Sequence, residues 1–412
     1  MMAVEVVTIG DELLLGFTID TNGAYLSKKL AEIGLRVVRR TSVGDSQTEI
    51  AAAVSEALTR TGGVITTGGL GPTSDDMSKA AVAGMFGRRL VIDQEHVAWM
   101  KERWHTRFGK EMPKSNMMQA SLPEGAIKLG NNHGSAPGVF LEGDQGWVAM
   151  LPGVPREMRG MTDDTLIPLL ASKYSAAAVI QSHTLRTTGV AESLLGDQLA
   201  NVELPAGISL AYLPSPDGVD LRLTLRNQEK AAGAAILAST AGALRVIVGD
   251  AIYGDHDDDL AAIVLDRCRQ KQHTISVAES CTGGLLGSRL TAIAGSSDVV
   301  LGGVIAYHDD VKRSMLGVSE QDLEEHGAVS EPVARQMAVG AADKFGSTVS
   351  LSITGIAGPG GGSPDKPVGT VWVGLSIARE VQTRRFNLIG DRDEIRRRSA
   401  QAALEMLRRR LL

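Results

Sequence analysis

The sequence predicts a multidomain α/β protein: an amino-terminal doubly wound domain, a small α+β middle module and a carboxy-terminal α/β domain. Three observations predict this. Short β-branched runs alternate with longer amphipathic stretches near both ends of the chain. Gly-rich segments follow several of those runs directly, as in GGLGPTSDD at 68–76 and GIAGPGGG at 355–362. The length of 412 residues exceeds one ordinary domain. With 47 Gly and only 4% aromatic residues, the composition suits strand-end loops better than a β-sandwich.

Taken in order, 4–9 is a strand ending in Gly10-Asp11-Glu12, and 21–33 a helix stopped by Gly34. A strand at 35–41 and a helix at 48–59 follow, with Ala51, Val54 and Leu58 on one face. A buried strand at 64–67 opens into the first Gly-rich loop. This βαβαβ order implies a parallel sheet with right-handed crossovers, and ligands at the carboxyl ends of its strands. A further strand at 147–151 is closed by PGVPREM, and the domain ends near residue 170. Residues 171–253 read as a small module with strands at 183–188, 209–214 and 220–225 and helices at 191–199 and 228–244. It contains no Gly-x-x-Gly, so a nucleic-acid-binding KH reading lacks its clamp loop and a structural linker is the plainer reading. The last domain, 254–412, opens with a helix at 255–269. Strands at 274–278, 299–306, 348–354, 371–378 and 383–388 alternate with helices at 285–292, 331–345 and 392–411.

The net charge of −6 argues against non-specific nucleic-acid binding. Two cysteines, Cys268 and Cys281, cannot form a disulfide framework and suit a reducing cytoplasm. The opening MMAVEVVTIGDELLLG lacks a basic region and reads as a strand rather than a signal peptide. No apolar run is expected to reach the roughly 18 residues of a membrane span.

Two constellations carry chemistry. In the last domain Ser280 stands between a strand and Cys-Thr-Gly-Gly, where a hydroxyl would project near backbone N–H groups able to stabilise an oxyanion. The segment is not a G-x-S-x-G elbow, and a helix N-cap is the competing reading of the same serine. His308 and His326 are nearby bases but read as loop histidines, whereas a partly desolvated Lys312 suits Ser–Lys chemistry. The second Gly-rich loop permits close backbone approach to a phosphate or ribose, or is simply a flexible surface loop. Arg392 could pair a phosphate or carboxylate, or be a helix-surface cation, and Arg396, Arg397 and Arg398 share that ambiguity. In the first domain Asp11, Glu12, Asp75 and Asp76 place carboxylates at two strand ends, suited to a hard divalent cation. Beside them, Gly68, Gly69, Gly71 and Thr73 could turn N–H groups toward a phosphate, which suggests metal-assisted pyrophosphate cleavage. Solvated loop acids and N-caps are the alternative.

AESCTGG, Gly295–Ser297, Tyr307 with Lys312, HGAVSEPV, TGIAGPGGG and KPVGTVW occur in order over about 140 residues. Together they resemble the CinA C-terminal domain of nicotinamide-nucleotide amidohydrolases. The resemblance implies conversion of nicotinamide mononucleotide to nicotinate mononucleotide and ammonia, without a cofactor. By position it implies Ser280 as nucleophile, Tyr307 and Lys312 as a proton-transfer pair, Thr354 lining the acyl site and Arg392 holding charge. Gly283, Gly284, Ser296, Gly355, Ala357 and Gly358 would bind substrate. His308-Asp309 departs from the small polar residues that the family often shows there. IGDELLLG, Asp20–Asn22, GGLGPTSDD, the Asn131-to-Gly138 segment and LPGVPREM resemble the molybdopterin-binding-like domain of CinA proteins. That resemblance implies cleavage of ADP-ribose to AMP and ribose 5-phosphate with a divalent metal (Mg, Mn or Co), with Asn22 in the site. Ser78 replaces the usual Thr and keeps the hydroxyl. The whole chain thus resembles a full-length CinA protein: a cytoplasmic homodimer acting on small nucleotides, with neither membrane nor nucleic acid as partner. A non-catalytic competence or damage-response adaptor and a molybdopterin-handling protein are the alternatives.

Overall fold

A computed structural model describes every residue except Met1, Ser74 and 175–177; Ser74, within the first Gly-rich loop, and the 175–177 stretch of the middle module therefore lie outside the described residues. The chain divides into two compact units, residues 1–181 with 225–235, and residues 182–224 with 236–412.

The first unit begins β1 (Met2–Ile9), α1 (Asp11–Leu14), α2 (Asn22–Ala31), β2 (Leu35–Val43), α3 (Gln47–Thr61), β3 (Gly63–Thr67) and α4 (Ser78–Met85). It continues β4 (Leu90–Ile92), α5 (Gln94–Phe108), β5 (Ser121–Pro123), β6 (Ile127–Leu129), β7 (Gly138–Gly143), β8 (Gly146–Leu151), α6 (Pro155–Met161) and α7 (Ile167–Tyr174). The main sheet runs β2-β1-β3-β8-β7-β6. Its first four strands are parallel, but β7 and β6 are antiparallel, so the sheet is mixed rather than purely parallel. Both faces are covered. Val4 and Val6 pack on one side with Leu26, Leu30 and Met158, while Val7 and Ile9 pack on the other with Ile50, Val54 and Val82. That double burial explains why β1 is apolar on both faces apart from Thr8 and Glu5, whose carboxylate is paired with Arg60. Between α4 and β6 lies an excursion with a two-stranded β4-β5 sheet, for which the sequence reading assigned no element.

The middle module is β9 (Ala178–Thr187), α8 (Glu192–Leu199), β10 (Ile208–Ser215), β11 (Gly218–Glu229), α9 (Lys230–Val248) and β12 (Ile252–Asp255). Its sheet order, β10-β11-β9-β12, is that of a split βαβ repeat. Here one expectation is corrected. The helical stretch Lys230–Ala251, whose most apolar 18 residues have a mean hydropathy of 1.7, is long and apolar enough by length and composition to cross a membrane. Much of that apolarity is alanine, and Leu237, Ala241, Leu244 and Val248 are buried at helical spacing.

The last domain comprises α10 (Leu260–Gln270), β13 (Ile275–Glu279), α11 (Leu285–Thr291), β14 (Val300–Ile305), α12 (Asp309–Leu316), α13 (Glu320–His326), α14 (Glu331–Phe345), β15 (Val349–Gly355), β16 (Thr370–Ile377), β17 (Glu380–Asn387) and α15 (Arg392–Arg410). The helix expected from 255 starts at Leu260, because Ile252–Asp255 pairs with β9 as a strand. The sheet order is β14-β13-β15-β16-β17, with β13 parallel to both neighbours. Ile275 and Val277 face a core shared with α10, α11 and α15, whereas Ala278 faces α14 through Val333 and Met337. In both domains a central strand, β1 or β13, has the next two strands of the chain on opposite sides. That is the topological switch point at which doubly wound sheets leave a crevice.

Candidate functional site

Ser280 follows β13 at that crevice. Its N–H donates to the Ile353 carbonyl at 2.9 Å, and the Ala306 N–H donates to the Glu279 carbonyl at 2.7 Å. The ends of β14, β13 and β15 are thereby stitched side by side, bringing Ser280, Tyr307 and Thr354 to one sheet edge. The turn after Ser280 is organised by the buried Glu279 carboxylate, which accepts from the N–H groups of Gly284, Leu286 and Gly287 at 3.1, 3.0 and 2.7 Å. Gly283 and Gly284, with φ of 60° and 95°, take left-handed conformations that this tight return requires. Two consequences bear on the sequence reading. The amides of Gly284, Leu286 and Gly287 are occupied by Glu279, so these three are not the donors for an oxyanion. The N-cap of α11 is Gly284, without a side-chain bond, so Ser280 is not the cap. The Ser280 side chain is 9% exposed and hydrogen-bonds to no group among the described residues. The adjacent Cys281 thiol is pushed up to about 12 by burial, which leaves it un-ionised and a poor nucleophile.

Around Ser280 the predicted residues take unequal parts. Arg392, the first residue of α15, donates to the Tyr307 hydroxyl at 3.0 Å and to the Gly358 carbonyl at 2.6 Å. It is positioned by an Asp391–Glu394 capping box. Lys312 is buried at 1% exposure, but its ammonium donates to the Asp309 carboxylate at 2.9 Å and the Tyr307 carbonyl at 3.3 Å. It reaches neither the Tyr307 hydroxyl nor Ser280, so the expected Ser–Lys contact is not formed. Thr354 is fully buried and donates to the Ala328 carbonyl at 2.7 Å, which fixes the 326–330 loop. His308 caps α12 through the Asp310 N–H, and His326 ends α13 half exposed; neither faces Ser280 through a bond.

Three other predicted residues stand apart. Ser296 precedes β14, whose start pairs with the start of β13, so it lies at the opposite sheet edge from Ser280, about 16 Å away for a five-residue strand. Ala357 belongs to the hydrophobic core. Gly355 is pinned in the β15–β16 ladder, where a Cβ would meet Val371 at 2.7 Å. The sequence reading missed two supports, Glu279 and Arg396; the latter donates twice to the Thr282 carbonyl, at 2.9 and 3.3 Å.

In the first unit, Asp76 does not face outward as a metal ligand. Its carboxylate accepts from the Gly71 and Thr73 N–H groups at 2.6 and 2.8 Å and from the Thr73 hydroxyl at 2.6 Å, closing the loop on itself. Gly68 and Gly69 are anchored by Ser78, whose hydroxyl donates to the Gly68 carbonyl at 2.8 Å. Asp11 accepts from the Asp45 N–H at 3.2 Å while Asp45 accepts from the Asp11 N–H at 3.0 Å. Burial raises the Asp45 carboxyl above its usual range, and the charges of Asp11, Glu12 and Asp75 push it the same way. Asp45 is thus a fifth carboxylate that the sequence reading passed over. The oxygen donors suit a hard cation chemically, but no group of three or more His, Cys, Asp or Glu among the described residues forms a preassembled cage. Asn22 donates to the Thr67 hydroxyl and the Gly153 carbonyl at 3.0 and 2.8 Å, and its buried Oδ1 has no partner among the described residues.

A cavity of about 520 Å³ opens beside this loop, lined by Gly69, Gly71, Thr73, Asp76, Lys79 and Ser115 among others. Burial lowers the Lys79 ammonium to about 8 from its ordinary 10.5. Between those values the unfolded chain holds a proton that the folded chain has lost, so this group's penalty is full below about pH 8 and relieved toward 10.5. Wild type should therefore gain stability relative to Lys79→Met across that window, by on the order of 2–3 kcal/mol. Parallel urea-unfolding curves in both proteins would refute this.

Three family descriptions match the chain: "Probable molybdopterin binding domain" over residues 5–172, "Damage-inducible protein CinA KH domain" over 182–254 and "CinA C-terminal domain" over 257–411. A CinA-like protein of Gemmatimonas aurantiaca is 56% identical over 413 residues, covering 99% of this chain and 96% of the relative. One of Salinibacter ruber is 42% identical, with both chains covered completely. Among solved structures, the competence/damage inducible protein CihA from Agrobacterium tumefaciens is 43% identical over 36% of this chain and 91% of its own, with a TM-score of 0.35.

Proposed function

This chain belongs to the CinA family, and from that premise we propose that its last domain is an amidohydrolase that converts nicotinamide mononucleotide to nicotinate mononucleotide and ammonia. The observation that carries the proposal is the Arg392–Tyr307 contact at the same switch-point sheet edge as Ser280, whose hydroxyl has no hydrogen-bond partner among the described residues. A hydroxyl that accepts from a guanidinium donates its own proton more readily. In this reading Ser280 Oγ attacks the carboxamide carbon, and its proton passes to the Tyr307 hydroxyl oxygen as that hydroxyl gives its own proton to the amide nitrogen. The C–N bond then breaks, ammonia departs and an acyl ester remains on Ser280. Water then cleaves the ester, releasing the acid and restoring the serine hydroxyl. Lys312, tied to the Tyr307 carbonyl, positions that tyrosine.

The test is ammonia release from nicotinamide mononucleotide by the full chain. Folded protein that releases none would end the proposal. Arg392→Met is expected to lower kcat/KM by about 10²-fold, as loss of one preorganised donor does; an unchanged value would remove Arg392 from the site.

A second reading concerns the first unit and is favoured by its 520 Å³ cavity. There we propose cleavage of ADP-ribose to AMP and ribose 5-phosphate. Asp11, Asp45 and Asp75 would hold a divalent cation that enters with the substrate's phosphates rather than waiting in a cage. EDTA should stop AMP release and spare ammonia release. Chelation that leaves both untouched would overturn the cation assignment.

A further inference from the structure

Three of the four loop amides expected to bind phosphate in the first unit are already engaged, since Gly71 and Thr73 donate to Asp76 and Gly68 donates to Leu151. The cavity beside them nevertheless contains a cation that makes no ion pair among the described residues. Lys79, the second residue of α4, is only 6% exposed and lines that cavity. An ammonium has three N–H donors. Among the described residues Lys79 uses one, to the Gln119 carbonyl at 2.5 Å, and makes no ion pair. The carboxylate that shares the cavity, Asp76, is directed into its own loop. Burying a charge with two donors unused is costly, and a fold keeps such a group when a ligand completes it. The hydroxyl residues Ser115 and Ser121 line the same cavity. The cavity's volume, about 520 Å³, is that of a nucleotide-sized ligand site.

We propose that Lys79 is the anion-binding residue of this cavity, and that it holds a phosphate group of a nucleotide in place of the loop amides. This deepens the second reading above, but its argument rests on the buried cation and not on any bond cleavage. The placement accounts for why the lysine sits at the start of α4: Gly69 and Ser78 fold the loop back so that this helix begins under the cavity.

The experiment is calorimetric titration of the full chain with AMP, inorganic phosphate and, as the uncharged control, adenosine. Wild type should bind AMP at least ~10-fold more tightly than adenosine, the range of a charge-assisted hydrogen bond. Lys79→Met should erase that preference while leaving adenosine affinity unchanged, and Lys79→Arg should restore much of it. Melting curves separate binding from scaffolding. Removing an uncompensated buried charge should leave the Met variant at least as stable as wild type at pH 7, whereas a lysine kept only to hold the Gln119 carbonyl predicts a lower melting temperature. Retention of the AMP preference in Lys79→Met overturns the proposal, as does wild-type protein that binds neither AMP nor phosphate. Lys79-dependent AMP binding without ADP-ribose cleavage would sustain it and sink the pyrophosphatase reading. ADP-ribose cleavage at wild-type kcat/KM in Lys79→Met would do the reverse.

Discussion

Ser280→Ala is expected to abolish ammonia release from nicotinamide mononucleotide, by at least about 10³-fold in kcat, while leaving ADP-ribose cleavage intact. The size follows from chemistry: without the hydroxyl no ester can form, and the neighbouring Cys281 cannot substitute because its thiol, pushed up to about 12 by burial, is protonated at neutral pH. The structural cost should be small, since the Ser280 side chain makes no hydrogen bond among the described residues and its anchoring bond is made by the backbone N–H. The sparing of ADP-ribose cleavage follows from the division of the chain, because Ser280 and the nucleotide-sized cavity belong to different compact units. Equal loss of both activities in a folded variant would contradict two independent sites.

Glu279→Ala should be the most damaging single substitution in the last domain. Its carboxylate is 1% exposed and satisfies the N–H groups of Gly284, Leu286 and Gly287. Removing it strands donors at a buried turn, at on the order of 1–3 kcal/mol each. A total near 3–5 kcal/mol is expected, with loss of amidase activity because the Ser280 turn no longer closes. Glu279→Gln keeps the shape but puts an NH₂ against those N–H donors, so it should also be damaging. A midpoint shift in urea worth less than about 1 kcal/mol would show that the turn stands without the carboxylate.

The elements read most clearly from sequence were those buried on both faces or capped by standard signals. β1 is mostly apolar because both faces are covered, and α3 carries Ser46 at its start and a left-handed Gly62 at its end. The excursion from α4 to β6 was opaque for the opposite reason. In α5 only His96, Val97 and Met100 are buried, and β4 is exposed along its length, so the pattern carries little periodicity. Lys79 was invisible on the same grounds, since a lysine in the first turn of a helix ordinarily reads as solvated.

In the last domain, motif order picked out Ser280 and Tyr307, which share a sheet edge, and Arg392, which bonds Tyr307, but it could not tell which end of a strand a motif occupies. Ser296 was therefore grouped with residues at the far edge of the sheet. The reading of Lys312 failed more subtly. Its spacing from Tyr307 is right, but its three-residue separation from Asp309 on α12 lets that carboxylate take the ammonium first. Glu279 was hidden because its partners lie five to eight residues ahead, beyond the reach of a capping box.

The most direct test of the central claim is to quench the full chain during turnover of nicotinamide mononucleotide, digest it and locate any acyl adduct by mass spectrometry. The account predicts a nicotinate mononucleotide ester on Ser280, lost on incubation in water and absent from Ser280→Ala. An adduct on Cys281, or sustained ammonia release by the Ser280→Ala variant, would contradict it.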